Sequence, residues 1–135
     1  MYNNILVPIA TDHDPNTDQA IEIARRLSAE RARITALTVV ESIPDYIGTH
    51  LPHGHLELAR QEMQADLEAS LGQAADVKVV VVSGHSGRTI LDWADENDVD
   101  CIVMASHRPD LSDYFLGSTA SRVVRHAQCA VHVLR

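Results

Sequence analysis

The chain has 135 residues, of which 45% are hydrophobic and 22% are charged, and these proportions fit a single globular domain that buries its own core. Its 11 Lys+Arg against 19 Asp+Glu give a formal net charge of -8, which disfavours nucleic acids and anionic membranes as partners. No apolar stretch reaches the length of a membrane span, and the N-terminal residues lack the pattern of a secretory signal, so we expect a cytoplasmic protein.

The first part of the chain predicts two strands with a helix between them. The apolar run Ile5–Ala10 indicates a buried strand, and Pro15 followed by Asn16 or Thr17 as N-cap indicates the start of a helix. The β-branched run Ile34–Val40 predicts the second strand.

A long loop, residues 41–54, follows the second strand. It contains His50 and His53, with His55 directly after it. Histidines bind metals, but the ligand spacing of zinc sites is missing and no cysteine is near, so we interpret the cluster as part of a solvated loop. The next segment predicts a helix whose apolar face consists of Leu56, Ala59, Met63, Leu67 and Leu71.

The second half of the chain continues the alternation. Val77–Val82 is almost entirely valine, which predicts a strand buried on both faces. A tight turn is predicted at Gly84–Gly87, with Ser86 as the N-cap of the next helix. Cys101 and Cys129 lie beside apolar segments, so we predict two buried free thiols rather than a disulfide. The remaining elements are a strand at Cys101–Ala105, a helix opened by Gly117-Ser118 and a strand at Ala130–Leu134.

Strict alternation of strands and helices predicts the fold class. We expect an α/β protein with one doubly wound, Rossmann-like, five-stranded parallel sheet and helices on both faces. Ligands of such sheets bind outside the carboxyl ends of the strands, at the point where the strand order reverses. A site would therefore be built from residues 11–14, 41–54, 84–87 and 106–118.

One pattern at that edge suggests a phosphate site. It consists of Ala105-Ser106-His107-Arg108 and, after a short loop, Gly117-Ser118-Thr119. Glycine lets the backbone approach a ligand, a first helical turn offers free N–H groups, and the hydroxyl and guanidinium groups of the two motifs can add donors. A plainer interpretation stays open, in which Ser118 only caps its helix and Gly117 only permits the turn. Neither a P-loop nor a G-x-G-x-x-G motif is present.

Three further side chains have two open interpretations each. His107 either donates to a phosphate or carries a proton, or it is an exposed loop residue. Asp12 and Asp14 either hold a ribose hydroxyl or Mg²⁺, or Asp14 only helps, with Asn16, to start the first helix.

Several motifs, in the same order and at the same elements, resemble the universal stress proteins over nearly the whole chain. They are Asn4–Ile9 in the first strand, Gly84–Gly87 after the third, Ala105–Asp110 with Leu116–Ser118, and Arg125–Val131. The segment around Ala105–Arg108 is most similar to the F-like subgroup of that family.

This resemblance implies a universal stress protein domain over residues 1–135, with the fold of the adenine-nucleotide alpha-hydrolase-like proteins. It also implies ATP or AMP, with or without Mg²⁺, an unknown signalling partner, and a homodimer that often pairs through the last strand, here Ala130–Leu134. Adenine would lie near the ends of the first two strands and the phosphates near the last helix. The implied nucleotide-binding residues are Pro8, Ile9, Ala10, Thr11, Asp12, Val39, Val40, Gly84, Ala105, Ser106, His107, Arg108, Gly117, Ser118 and Thr119.

The sequence departs from the family pattern at two places. The Gly-x-x-Gly usual in ATP-binding members is occupied here by Ala105 and Arg108, and the Asp usual after the first strand is Ala10. These departures favour a second hypothesis, a dimeric stress or adaptor protein that binds no nucleotide. A slow ATPase or self-phosphorylating protein is a third, although the sequence shows no poised base, nucleophile pair or metal-ligand set.

Overall fold

The computed structural model describes residues 1–10, 16–41, 55–71, 75–106 and 117–135. Strands and helices alternate through this part of the chain, as the sequence predicts. The elements are β1 (Tyr2–Pro8), α1 (Asn16–Leu27), β2 (Ser28–Val40), α2 (His55–Leu71), β3 (Val77–Ser83), α3 (Ser86–Glu96), β4 (Cys101–Ala105), α4 (Ser118–His126) and β5 (Ala130–Leu134).

The five strands form one parallel sheet in the order β3-β2-β1-β4-β5. The order reverses between β1 and β4, which are neighbours in space although two strands separate them in sequence. Helices α1 and α2 cover one face and α3 and α4 cover the other. The predicted fold class is therefore confirmed. None of the helices in these described ranges is long and apolar enough to cross a membrane.

The core lies on both faces of the central strand β1, because its side chains alternate between the two layers. Ile5 and Val7 pack towards α1, whereas Leu6 packs towards α3 and α4, and all three are fully buried. Each such side chain contributes about 1.5–3 kcal/mol by leaving water. The switch between β1 and β4 therefore lies in the most deeply buried part of the sheet.

Three predictions about individual elements are wrong. The Val77–Val82 strand is not buried on both faces, because β3 is an edge strand in which Val81 alone is buried and Lys78 is exposed. Ser86 is not an N-cap: His85 holds that position without a side-chain hydrogen bond, and Ser86 is the first residue of α3. Asn16 and Thr17 lie inside the first turn of α1 rather than at its N-cap.

The ends of β1 and β2 also differ from the prediction. β1 runs from Tyr2 to Pro8 instead of Ile5–Ala10, and β2 begins at Ser28 rather than Ile34. The first residues of β2 are exposed or partly exposed and irregular, with Arg31 at φ 65° and a register shift in the pairing between Tyr2 and Asn4 of β1. A hydrophobic pattern does not mark such a segment because it buries little.

Both cysteines are free, as predicted, but only Cys101 is buried, whereas Cys129 is partly exposed. Burial, with smaller contributions from Cys129 and Asp100, raises the pKa of the Cys101 thiol to about 11. Burial and the charges of Asp95 and Asp100 also raise the pKa of Cys129. Both thiols are therefore protonated at neutral pH.

A hydrogen-bonded latch closes the amino end of the sheet, opposite the edge where ligands bind. The Asp100 carboxylate accepts the backbone N–H groups of Asn3 at 2.8 Å and Asn4 at 3.0 Å. The Asn4 side-chain amide donates to the carbonyl oxygens of Asn97 at 2.7 Å and Asp98 at 3.3 Å. Strand β1 and the turn before β4 are thereby joined.

We expect Asp100→Ala to lower the free energy of unfolding by about 2–3 kcal/mol, because it leaves two strand N–H groups without their charged acceptor. Asp100→Asn is the matched control, since it keeps one carbonyl acceptor and should lose about half as much. Urea unfolding followed by circular dichroism measures both. Equal stability of Asp100→Ala and the parent chain would contradict the latch.

One buried hydroxyl lacks a partner. The side chain of Thr38, in β2, is 1% exposed, and its Oγ1 makes no hydrogen bond among the described residues. Since an unpaired buried hydroxyl is unfavourable, we expect Thr38→Val to raise the free energy of unfolding by about 1 kcal/mol. Thr38→Ser, which keeps the hydroxyl and loses the methyl group, should lower it. Destabilisation by the valine would mean that the hydroxyl is satisfied in solution.

Candidate functional site

The carboxyl edge, where all five parallel strands end, is the place that this fold offers to a ligand. Of the residues that the sequence assigns to a nucleotide, the structure describes Pro8, Ile9, Ala10, Val39, Val40, Gly84, Ala105, Ser106, Gly117, Ser118 and Thr119. All of them lie at or just after strand ends, or at the start of α4. Thr11, Asp12, His107 and Arg108 lie outside the described residues, as do Asp14, His50 and His53.

Strand β2 extends beyond β1 at this edge. Its pairing with β1 stops at Pro8 and Leu37, and the Ile9 N–H adds one last bond to the Leu37 oxygen at 2.8 Å. Its pairing with β3 continues to Val40 and Ser83. Peptide groups alternate in direction along a strand, so those of Val39 point to the β1 side, just beyond the last residue pair of β1 and β2.

The part of β2 that extends beyond β1, which we call the overhang, can bind a planar base through its backbone. The N–H and C=O of one residue provide one donor and one acceptor side by side, which match the polar edge of a planar base. The Val39 side chain stands perpendicular to the sheet and packs into the core near α3 and α4. Any recognition at Val39 therefore uses the backbone, and its side chain serves the packing.

Helix α4 begins at the same edge with an open first turn. Its N-cap is Gly117, with φ -60° and ψ 158°, and no side chain of the described residues caps the helix. The Ser121 N–H makes the first helical bond, to the Gly117 oxygen at 2.8 Å. The three preceding N–H groups, at residues 118–120, have no partner within the helix. The interpretation in which Ser118 caps α4 is therefore wrong, and its exposed hydroxyl remains available.

The N–H and hydroxyl groups of Ser106 are hydrogen-bonded within the protein instead of being free to contact a phosphate. Its N–H and its hydroxyl both donate to the Leu134 oxygen, each at 2.9 Å, and its own carbonyl accepts the Gly117 N–H at 3.3 Å. The residue is 8% exposed. Ser106 thus links the start of α4 to the end of β5, and its hydroxyl proton is already used.

The first turns of α3 and α4 lie side by side. The hydroxyls of Ser86 and Thr119 are 3.1 Å apart, within hydrogen-bonding distance. Gly87 is buried against Arg122, and a Cβ there would come within 2.8 Å of the arginine Cδ. The sequence analysis missed this contact, although the glycine at Gly87 was a signal that another element approaches closely.

Gly84 turns the chain from β3 towards α3. Its N–H donates to the Val40 oxygen at 3.0 Å, which extends the β2–β3 pairing by one residue. Its φ of +150° is a conformation that other residues rarely adopt, and a Cβ would lie 2.5 Å from the Thr89 Oγ1. Gly84 is therefore required for the path of the backbone at the rim of the site.

The donor set of the described residues fits a phosphate better than a metal ion. Three helix N–H groups and the Ser118 hydroxyl favour an anion, and the helix dipole adds partial positive charge. In the part of the chain that the structure describes, no cluster of three or more His, Cys, Asp or Glu residues is placed to bind a metal.

Comparison with known proteins agrees with this architecture. The sequence model of the universal stress protein family matches residues 1–135. Universal stress protein A homolog 2 of Coxiella burnetii is 32% identical over 143 residues, which cover 99% of this chain and 95% of that protein.

Solved structures share the fold over almost the whole chain. Universal stress protein UspA from Lactobacillus plantarum superposes with a TM-score of 0.74 at 28% identity, covering 99% of this chain and 98% of that one. A universal stress protein in complex with cAMP has a TM-score of 0.62 at 20% identity, over 99% and 97% of the two chains. The protein from Archaeoglobus fulgidus in complex with dAMP has a TM-score of 0.68 at 18% identity, over 99% and 98%. With the family match over its full length, the chain belongs to the universal stress protein family.

Proposed function

We propose that this chain is a stress-response protein that binds an adenine nucleotide, AMP or ATP, at the carboxyl edge of its sheet and signals through a protein partner. The observation that carries the proposal is the first turn of α4, which has a glycine N-cap and, among the described residues, no side-chain cap. An uncapped helix start attracts phosphate even on a chain with a formal net charge of -8, because its N–H groups act at short range.

The adenine would lie against the overhang of β2, where the Val39 peptide groups meet its polar edge. The end of β1, from Pro8 to Ala10, and Gly84 form the rim around that position. Two structural neighbours were solved with cAMP and with dAMP, which are adenine nucleotides with a single phosphate. These ligands support an AMP-type nucleotide for this chain as well.

The remaining predicted residues complete the proposal. Thr11 and Asp12 follow β1 and would lie beside the ribose, whereas His107 and Arg108 follow β4 and would lie beside the phosphates. An Arg108 guanidinium is a forked donor suited to phosphate oxygens. With ATP, Mg²⁺ would be held mainly by the phosphates, as is usual for this ion.

We also propose a cytoplasmic location and a homodimer that pairs through β5.

A second candidate function is a dimeric adaptor that binds no nucleotide. Two observations favour it. The Ser106 hydroxyl donates to Leu134 and would have to leave that oxygen before donating to a phosphate. Ala10, which is exposed at the end of β1, provides no carboxylate for a ribose.

Calorimetric titration of the purified chain with AMP, ADP and ATP distinguishes the two candidates. GMP is the matched control for the base, and inorganic phosphate is the control for the anion site alone. We expect micromolar binding of at least one adenine nucleotide and clearly weaker binding of GMP. A denatured extract of the protein, analysed by mass spectrometry, tests for nucleotide that was carried through purification. An empty extract together with no heat of binding would establish the adaptor instead.

A further inference from the structure

At the outer edge of β5, Val131 and Val133 carry peptide groups for which the described residues provide no hydrogen-bond partner. The Leu134 oxygen accepts two bonds from Ser106, on the β4 side, and peptide direction alternates along a strand. Ala130, His132 and Leu134 therefore direct their N–H and C=O groups to β4. Val131 and Val133 direct theirs outwards, to the open edge.

The opposite edge of the sheet is covered. The Gly84 N–H bonds to β2, so the same alternation turns the Val81 carbonyl outwards on β3. Arg60 of α2 donates to that carbonyl at 3.4 Å, and Glu57 holds the guanidinium through hydrogen bonds. An arginine placed over an edge carbonyl, together with the exposed Lys78, discourages pairing with another strand. Among the described residues, nothing comparable covers β5.

Symmetry restricts how β5 can pair with a second copy of itself. In an antiparallel pair related by a two-fold axis, opposite residues lie on the same face of the sheet. Since faces alternate along a strand, the residue numbers of an opposite pair are both even or both odd, and their sum is even. Among the registers that meet this condition, the one that uses the whole strand places Ala130 opposite Leu134, Val131 opposite Val133, and His132 opposite His132. Val131 and Val133 then exchange four hydrogen bonds with the second copy through their outward peptide groups.

We propose that β5 pairs with a second copy in this register and that proton uptake by the two His132 side chains separates the pair. The proposal rests on the β5 homodimer of the proposed function and adds its register and its regulation. The two histidines form a pair without mutual hydrogen bonds, because their peptide groups face β4. Side chains approach most closely at such pairs, with Cβ atoms about 4.5–5.5 Å apart.

The surroundings of His132 provide little compensating charge. Its side chain is exposed on the α1 side of the sheet, and its register partner in β4 is the buried, apolar Val103. The only titratable group in β4 is the Cys101 thiol, which is neutral because its pKa is about 11.

Helix α1, on the same face, has most of its charges in ion pairs. Arg25 contacts Asp76 at 2.9 Å, beside β3, and Arg26 contacts Glu22 at 3.1 Å. Asp18 carries the remaining charge of the helix. The charged residues of α4 belong to the layer on the other face.

The ends of the proposed pair are complementary in charge. Asp95 and Asp100 lie close enough to Cys129 for their charges to raise its pKa. In the register centred on His132, Arg135 of one copy lies opposite Cys129 of the other. The arginine therefore approaches two carboxylates across the interface, which favours this register over one shifted by two residues.

The direction of the pH dependence follows from the like charges. Two neutral imidazoles tolerate each other, whereas two imidazolium ions about 5 Å apart repel, and histidine side chains in water take up a proton at about pH 6.5. The dimer is thus stable above about pH 7 and weakens as the pH falls through about 6.5. For two charges about 5 Å apart, Coulomb's law gives a change in dissociation constant between about fourfold, in water, and about three-hundredfold, at an effective dielectric constant of 20.

Sedimentation velocity at about pH 8 and about pH 5.5 tests the proposal. For the parent chain we expect the dimer dissociation constant to rise about fourfold or more at the lower pH. His132→Gln should form a dimer whose constant changes less than twofold. His126→Gln, which removes an exposed histidine of α4, is the matched control and should behave like the parent. Circular dichroism at both pH values checks that each chain remains folded.

The variant Val131→Pro distinguishes two failures, that of the pH dependence through His132 and that of the β5 dimer itself. It removes an outward N–H that β4 does not use, so the fold should tolerate it, and the dimer should be lost at both pH values. A dimer that survives Val131→Pro, or a parent chain that is monomeric at both pH values, would overturn β5 pairing itself. A dimer that is lost with Val131→Pro but keeps one constant across the pH range would overturn only the role of His132. Nucleotide binding is measured by a separate titration, so none of these outcomes decides whether the chain binds a nucleotide.

Discussion

Ser118→Pro should weaken binding of AMP or ATP by about tenfold to a hundredfold without unfolding α4. Hydrogen bonds to a charged group contribute about 1.5–3 kcal/mol each, and proline removes the N–H at the first position of the helix. Proline is well tolerated at that position. The preceding residue, Gly117, already has φ -60° and ψ 158°, a conformation that suits a residue before proline. Calorimetric titration provides the affinity.

Ser118→Ala is the control for this substitution. It removes the hydroxyl but keeps the N–H, so we expect a smaller loss, about threefold to tenfold. Thermal unfolding should be nearly unchanged for both variants because neither the hydroxyl nor the N–H of Ser118 caps the helix. Equal affinities of Ser118→Pro and the parent would show that the start of α4 does not bind the phosphate.

Gly84→Ala should lower the free energy of unfolding by about 2–4 kcal/mol, which corresponds to roughly 8–16 °C in Tm for a domain of this size. Two costs combine. A φ of +150° is strained for any residue with a Cβ, and that Cβ would lie 2.5 Å from the Thr89 Oγ1. Urea unfolding and thermal scans both report the change.

A double-mutant cycle with Thr89→Ala separates the two costs. Removing the hydroxyl relieves the contact but not the backbone strain, so Gly84→Ala in the Thr89→Ala background should cost about 1–2 kcal/mol less. Thr89→Ala alone measures the effect of the hydroxyl itself. Identical costs in the two backgrounds would show that backbone strain accounts for the whole effect. No loss of stability in either would contradict the φ value.

The order of the elements could be predicted from the sequence because each strand is a short apolar run and each helix has an amphipathic pattern. The position of a strand within the sheet could not. Val77–Val82 has the composition of a buried central strand, yet β3 lies at the edge, because valine favours any pleated surface and does not report how many neighbours the strand has.

The site was predictable in outline and not in its contacts. The motif around Gly117 and Ser118 located the open helix start, since a glycine at the N-cap has no side chain with which to cap the helix. The pairing of Ser86 with Thr119 joins residues 33 positions apart, and no local pattern encodes such a contact. The bond from Ser106 to Leu134 is equally non-local, so the same hydroxyl that suggests a phosphate donor serves to join two elements.

The protonated state of the two thiols bears on what kind of stress this chain can register. With a pKa of about 11, roughly one Cys101 in ten thousand is a thiolate at neutral pH, and the thiolate is the form that peroxides attack. The pKa of the second thiol, Cys129, is raised as well. Oxidants that need a thiolate therefore react slowly with these two cysteines. A peroxide is thus a poor signal for this chain if it has to act through Cys101 or Cys129.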